Sequence, residues 1–354
     1  MAGNSLLTFS SKGIYCEQAD VYIDPWKAVD KAIITHAHSD HARWGMKHYL
    51  AHTLSEPIMR LRLGQDISLQ TMDYGESVYI NGVEFSLHPA GHIIGSSQVR
   101  VAYQGEVWVV SGDYKIQDDG VATPFEAVSC HSFITESTFG LPVYSWPKQE
   151  QVMEEINHWW ADNASRNVAS LIIAYSLGKA QRVLAHLDDS IGPIFSHGAV
   201  ANTNDAYNDF GVPIRETFKV VAQGPDKHTK KDFRKAIIIA PPSAIGSPWV
   251  KRFQPFSLGI ASGWMALRGT RRRRAADRGF VLSDHADWKG LKEAIIATGA
   301  ENVYATHGYT NLFAKWLNEH TSVNAQVVET LFSGEGDEQE SVTTVTENGK
   351  EVAS

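Results

Sequence analysis

Cysteine is nearly absent: Cys16 and Cys130 are the only two in 354 residues. They stand far apart with no Cys-x-x-Cys pair, which argues against a disulfide framework and a thiolate zinc knuckle. Any metal must therefore rest on His, Asp and Glu. Long apolar runs are missing too. No stretch approaches the roughly 20 residues that a membrane-spanning helix needs, and Met1 to Cys16 has no basic segment followed by an apolar one, so no export signal is read there. A cytoplasmic protein without a membrane partner is expected. Positive charge is in deficit, with a formal net charge of −8. That sum alone argues against a polyanionic partner, but its distribution matters more. From Ser333 onward the chain carries Glu335, Asp337, Glu338, Glu340, Glu347 and Glu351 against Lys350 alone. Few apolar residues accompany them, so residues 333–354 are expected to form a disordered acidic tail, and the body is closer to neutral. The remaining composition, 43% hydrophobic and 20% charged, suits a globular protein of two domain-sized units, or one large unit with an insertion.

The most informative stretch is Ala32-Ile33-Ile34-Thr35-His36-Ala37-His38-Ser39-Asp40-His41. A short apolar run that stops at polar residues reads as a buried strand delivering a loop to a sheet edge. His36 and His38 can present imidazoles to one side of an extended turn, while Asp40 and His41 face a second point nearby. That spacing suits two adjacent metal ions, and so dense a set of good ligand types rarely arises by chance.

The same plan recurs along the chain. Ile14 to Cys16, Val21 to Ile23 and Lys31 to Thr35 read as short strands, with Asp24-Pro25 ending the second. His41 to Tyr49 is expected to open a helix, and Val78 to Leu87 to form a hairpin around Asn81-Gly82. His92 follows an apolar strand. Val107 to Val110 runs into Asp113, a carboxylate with two oxygens to share between metals, and Phe133 to Thr135 runs into Glu136. Lys148 to Trp160 and Gly178 to Leu187 have helical spacing, while Leu171 to Ala174 and Ala236 to Ala240 read as strands. Residues 145–268 bring no new ligand group and read as an inserted α/β domain. Arg271, Arg272, Arg273 and Arg274 then form either a solvated face or a phosphate-binding patch; charge alone fits both. Gly279 to Leu282 leads to His285, and Val303 to Thr306 leads to His307. His48, His88, His158, His186, His197 and His320 lack this context and are left as surface or core residues.

The His-x-His-x-Asp-His stretch resembles the signature of the metallo-β-lactamase-fold hydrolases. Its continuation through His92, Asp113, Glu136, an insertion, His285 and His307 resembles the β-CASP branch of that fold, whose known members are nucleases on DNA or RNA. Ser176-Leu177-Gly178-Lys179-Ala180-Gln181 is similar to that branch's helix-opening motif. Across residues 6–332, phrases such as Ala240-Pro241-Pro242-Ser243-Ala244-Ile245-Gly246-Ser247-Pro248-Trp249, Ser283-Asp284-His285-Ala286-Asp287-Trp288 and Thr306-His307-Gly308-Tyr309-Thr310 resemble the bacterial ligase-associated DNA exonucleases.

This resemblance implies an α/β fold: a four-layer αβ/βα sandwich built from residues 1–144 and 269–332, with a β-CASP domain inserted at 145–268. It implies two divalent ions, zinc or manganese. His36, His38 and His92 would hold one, Asp40, His41 and His307 the other, and Asp113 would bridge. Asp24 would support the metal loop by fixing the outer nitrogen of a ligating histidine. Asp40, Glu136 and His285 are the expected catalytic residues, with His285, oriented by Glu136, protonating the departing sugar oxygen. Lys115 and Lys179 join the four arginines as candidate phosphate contacts. The function implied is a DNA exonuclease acting on a single strand or a free end, associated in repair with an ATP-dependent DNA ligase and a helicase. A β-CASP ribonuclease in RNA maturation or decay is second. His307 matches the RNA-processing members, but Tyr309 stands where those often carry Glu. A thioester hydrolase of the same fold is third, and the insertion, Glu136 and His285 weigh against it.

Overall fold

The computed structural model describes residues 5–221, 228–267 and 276–330. The arginine tract at 271–274 and the acidic tail lie outside the described residues.

The described chain is a mixed α/β protein with three sheets. The first runs in sequence order through β1 (Thr8–Phe9), β2 (Ile14–Cys16), β3 (Val21–Ile23), β4 (Lys31–Ile33), β5 (His48–His52) and β6 (Leu69–Met72). The second starts with an antiparallel run, β7 (Ser77–Ile80), β8 (Val83–Pro89), β9 (Ser97–Tyr103) and β10 (Glu106–Val110), beside which β11 (Ser132–Ser137) lies parallel. The third is wholly parallel and comprises β12 (Ala169–Ile173), β13 (Ile194–Ser196), β14 (Phe218–Lys219), β15 (Ile237–Ala240), β16 (Phe256–Ala261) and β17 (Arg278–Phe280). The chain then returns to the second sheet with β18 (Asn302–Gly308) beside β11 and β19 (Asn324–Val327) at its edge. The strand at 278–280 thus belongs to the third sheet although it lies past residue 268.

Side-chain alternation explains the packing. Val83, Phe85 and Leu87 of β8, with Trp108 and Val110 of β10, meet Ile14, Cys16, Ile23 and Ile33 in one apolar cluster between the first two sheets. Val109, pointing the other way, joins Leu291 and Ile295 of α5 (Trp288–Thr298) and Phe313 and Leu317 of α6 (Thr310–His320). The outer face of the first sheet, Ala32, Ile34, Tyr49 and Ala51, is covered by Ile58, Met59 and Leu63 of α1 (Glu56–Leu63). In the third sheet β12 is buried on both faces, as its unbroken apolar run requires. Val152, Ile156 and Trp160 of α2 (Gln149–Ser165), Val183 and Leu184 of α3 (Lys179–Ala185) and Val200 of α4 (Gly198–Asp209) cover one side.

The helix expected from His41 does not form. The segment turns instead, with Ala42 N–H donating to His38 O at 2.8 Å and Gly45 at φ 102°, and His48–His52 pairs as a strand beside β4. A left-handed glycine interrupts a helix there, and the burial of Tyr49, Leu50 and Ala51 favours the sheet.

Candidate metal centre

Loops leaving β4, β8 and β10, together with β18 itself, bring His36, His38, Asp40, His41, His92, Asp113 and His307 to one place. Donor atoms of His36, His38, His92 and Asp113 lie within 4.8 Å of one another, as do those of His41, Asp113 and His307, and those of His36, Asp40 and His41. Asp113 is the common member of the first two groups. Its Oδ2 lies 3.4 Å from His36 Nε2, 3.8 Å from His92 Nε2 and 3.6 Å from His41 Nε2, while its Oδ1 lies 2.7 Å from His307 Nε2. Gly112, at φ 57°, makes the turn that aims this carboxylate, and a side chain there would strike Thr35.

The partners on the outer side of each ring set its tautomer. Thr35 Oγ1 donates to Asp24 Oδ2 at 2.6 Å, so it accepts from His36 Nδ1 at 3.0 Å. His41 Nδ1 donates to Asp24 Oδ2 at 2.7 Å. His92 Nδ1 donates to the Asp284 carbonyl at 2.8 Å, and His38 Nε2 to the Leu177 carbonyl at 3.2 Å. Thr306 Oγ1 donates to Thr135 O at 3.0 Å and accepts from His307 Nδ1 at 3.1 Å. With every outer nitrogen a donor, the inner nitrogens turn lone pairs toward the Asp113 carboxylate and toward each other. His92 Nε2 and His38 Nδ1 face each other at 3.0 Å. His36 Nε2 and Asp40 Oδ1 are buried with no hydrogen-bond partner among the described residues. Converging lone pairs and orphaned buried acceptors are costly unless a cation lies among them, so the residues fit a pair of divalent ions.

The electrostatics agree. Burial pushes His36 and His92 well below the usual imidazole range and lowers His38 as well, which keeps them in the neutral form that a metal requires. His41 is the exception: burial opposes its charge, yet Asp40, Asp113 and Asp24 hold its proton up to about 10, and a metal ion would have to displace that proton. Burial would raise Asp113, but His41, His285 and His307 keep its carboxyl well below the usual range. Beside the centre, His285 Nδ1 lies 2.9 and 3.0 Å from the two oxygens of Glu136, which is fully buried and also accepts from Tyr114 N at 2.9 Å.

No family model matches the chain. Among curated proteins, it is 28% identical over 315 residues to a "Probable DNA ligase" of Opitutus terrae, covering 87% of this chain and 30% of that protein. It is 28% identical over 125 residues to "Endoribonuclease YSH1" of Saccharomyces cerevisiae, covering 34% of this chain and 16% of the relative. With "Cleavage and polyadenylation specificity factor subunit 3-I" of Arabidopsis thaliana it shares 27% identity over 202 residues, 47% of this chain and 28% of that protein. It therefore spans less than a third of the length of these relatives. A crystal structure of an Enterococcus faecalis V583 protein of unknown function superposes with a TM-score of 0.55 at 11% identity, over 78% of this chain and 74% of that one, a likeness of fold alone. The His/Asp constellation and these relatives point the same way. The chain is similar to the β-CASP nucleases.

Two expected phosphate contacts are placed differently. Lys179 is fully buried, with Nζ 3.3 Å from Asp284 Oδ2. Lys115 is buried and donates to Gln117 O at 2.6 Å; burial, then Arg182, pushes its ammonium down to about 8. Neither side chain is presented at the surface, because each lies in the seam between the third sheet's unit and the other two. Arg271 to Arg274 lie outside the described residues. Sequence reasoning missed Thr35, Leu177, Asp284 and Thr306 as groups that orient the rings. Each lies inside a stretch that the sequence singles out, but two act through backbone carbonyls, which no residue type announces.

Proposed function

We propose that the chain is a metal-dependent DNA exonuclease that hydrolyses phosphodiester bonds at a binuclear centre. What carries this reading is the set of inner imidazole lone pairs and orphaned acceptors converging on Asp113, a donor set of His and carboxylate that suits zinc or manganese. In this reading residues 1–144 and 269–332 form a four-layer αβ/βα sandwich, and 145–268 supply the inserted β-CASP domain. The packing of α1, two face-to-face sheets, and α5 with α6 supports that division.

His36, His38 and His92 would hold one ion, Asp40, His41 and His307 the other, and Asp113 both. When bound, the ions supply an activated water for attack on phosphorus and offset charge on the phosphoryl oxygens. Asp24 keeps His41 and, through Thr35, His36 in the ligating tautomer. Glu136 keeps a hydrogen on His285 Nδ1, which makes Nε2 the atom that hands a proton to the departing sugar oxygen. His38 is partly exposed and Ser39 exposed, so the centre opens on that side for a strand to enter.

DNA is favoured over RNA because the similarity to the ligase-named relative runs over 87% of this chain, against 34% and 47% for the two RNA-processing names. Ligase activity is not carried over, since the chain spans 30% of that protein; a working association with a ligase and a helicase in repair is part of the proposal. No described helix is long and apolar enough to cross a membrane. The test is degradation of end-labelled DNA and RNA oligonucleotides of one sequence, with zinc and manganese supplied separately. Progressive shortening of DNA from an end is expected. Cleavage of RNA alone would move the assignment to the ribonuclease reading, and cleavage of neither would remove the nuclease reading.

A further inference from the structure

The ring-orienting groups are distributed unequally. His36, His41 and His307 are fixed by Thr35, Asp24 and Thr306, all within the first two sheets and their loops. His38 and His92 are instead fixed by two backbone carbonyls, those of Leu177 and Asp284. Leu177 leads into α3 on the third sheet's unit, and Asp284 lies on the strand-to-helix loop that leaves that unit. A buried ion cluster ties these segments together. Lys179 Nζ lies 3.3 Å from Asp284 Oδ2, and Arg182 Nη1 lies 3.1 Å from Asp284 Oδ1 and donates to Ser283 O at 2.5 Å. All three side chains are at most 4% exposed. Gly178, at φ 91°, lets the same segment press on the loop of His92, because a Cβ there would overlap Ile93.

We propose that Lys179, Arg182 and Asp284 are positioning residues for one of the two metal ions only: they clamp the Leu177 and Asp284 carbonyls that orient His38 and His92, so that tight binding of that ion depends on the seating of the inserted unit. The inference rests on the binuclear reading above. The groups that orient His41 and His307, Asp24 and Thr306, belong to the first two sheets and their loops. Loss of the clamp therefore separates the two binding steps, whereas general loosening of the fold weakens both.

The experiment titrates metal-free full chain with zinc alone against a chromogenic chelator, with folding checked by circular dichroism. In Lys179→Met one zinc step is expected to weaken about 10- to 100-fold, the size usual for loss of a group that orients a ligand, while the other step stays within about threefold. Gly178→Ala keeps the ion cluster, displaces the Leu177 carbonyl and is expected to weaken the same step, which keeps the test open if Lys179→Met does not fold. Thr306→Val, at His307, is expected to weaken the other step, and its combination with either clamp variant to weaken both. Folded clamp variants with both steps unchanged, or both weakened equally, overturn the proposal. A wild-type chain that takes up a single zinc ion fails at the earlier stage and overturns the binuclear reading itself.

Discussion

Replacing His285 tests its proposed proton donation apart from the action of the metal ions. The ring is held by both Glu136 oxygens at 2.9 and 3.0 Å, and Glu136 has no exposure through which water could replace it. General acid catalysis of this kind contributes about 10²–10⁴-fold, so His285→Ala is expected to lose that much on a DNA phosphodiester, whose alkoxide leaves poorly. On a nitrophenyl phosphodiester the leaving group departs without a proton, and less than about tenfold should be lost. Glu136→Gln is the graded case. Glu136 Oε1 also accepts from Tyr114 N at 2.9 Å, so an amide oxygen kept on that donor turns the amide NH₂ toward the ring. The ring then loses a charge-assisted hydrogen bond worth about 1.5–3 kcal/mol, or roughly 10- to 100-fold at 1.36 kcal/mol per decade, again only on DNA. The assay compares initial rates on both substrates for wild type and the two variants, with metal content measured in each. Equal losses on the two substrates at full metal content would refute proton donation, and a loss of metal would make His285 a ligand.

Gly112→Ala places a Cβ 2.6 Å from Thr35 Oγ1 at a φ of 57°; overpacking of this kind costs about 1–3 kcal/mol, and chemical denaturation together with metal analysis should show lower stability and lower metal content than wild type. His52 is buried, stacked on Tyr74 and pushed down to about 4 by burial. Its folded pKa lies below its unfolded one, so its contribution is complete above about pH 6.5 and is lost as pH falls from there toward 4. His52→Asn, which can still accept from Leu54 N, should flatten the fall in stability across that window, and an unchanged slope would exclude His52 as a cause. Replacing Arg271, Arg272, Arg273 and Arg274 with alanine should flatten the dependence of log DNA affinity on log salt by up to about 0.9 for each phosphate that an arginine had neutralised; an unaltered slope would return the tract to a solvated face.

Strand ends were the legible part of this chain. Apolar runs broken by His or Asp singled out His36, His92, Asp113 and His307, and the loops and strand ends of two sheets bring these side chains together. The turn at His41 was illegible because its helix-compatible residues are overridden by Gly45 and by the burial of Tyr49 to Ala51 in β5. Lys179 looked like a surface cation beside a recognisable motif, yet its partner Asp284 lies 105 positions away in sequence numbering and only the fold brings them within 3.3 Å. Carbonyl partners such as that of Leu177 depend on backbone direction, which side-chain identity does not encode.

Metal content measured beside the rate of DNA digestion, for wild type and Asp113→Ala, tests the binuclear centre most directly. Asp113 is the carboxylate that His36, His41, His92 and His307 all approach within 3.8 Å. Two divalent ions per chain are expected in the wild type, with both sites weakened together and digestion lost in the variant. An Asp113→Ala chain that kept its full metal content and digested DNA at a near-normal rate would contradict the binuclear centre.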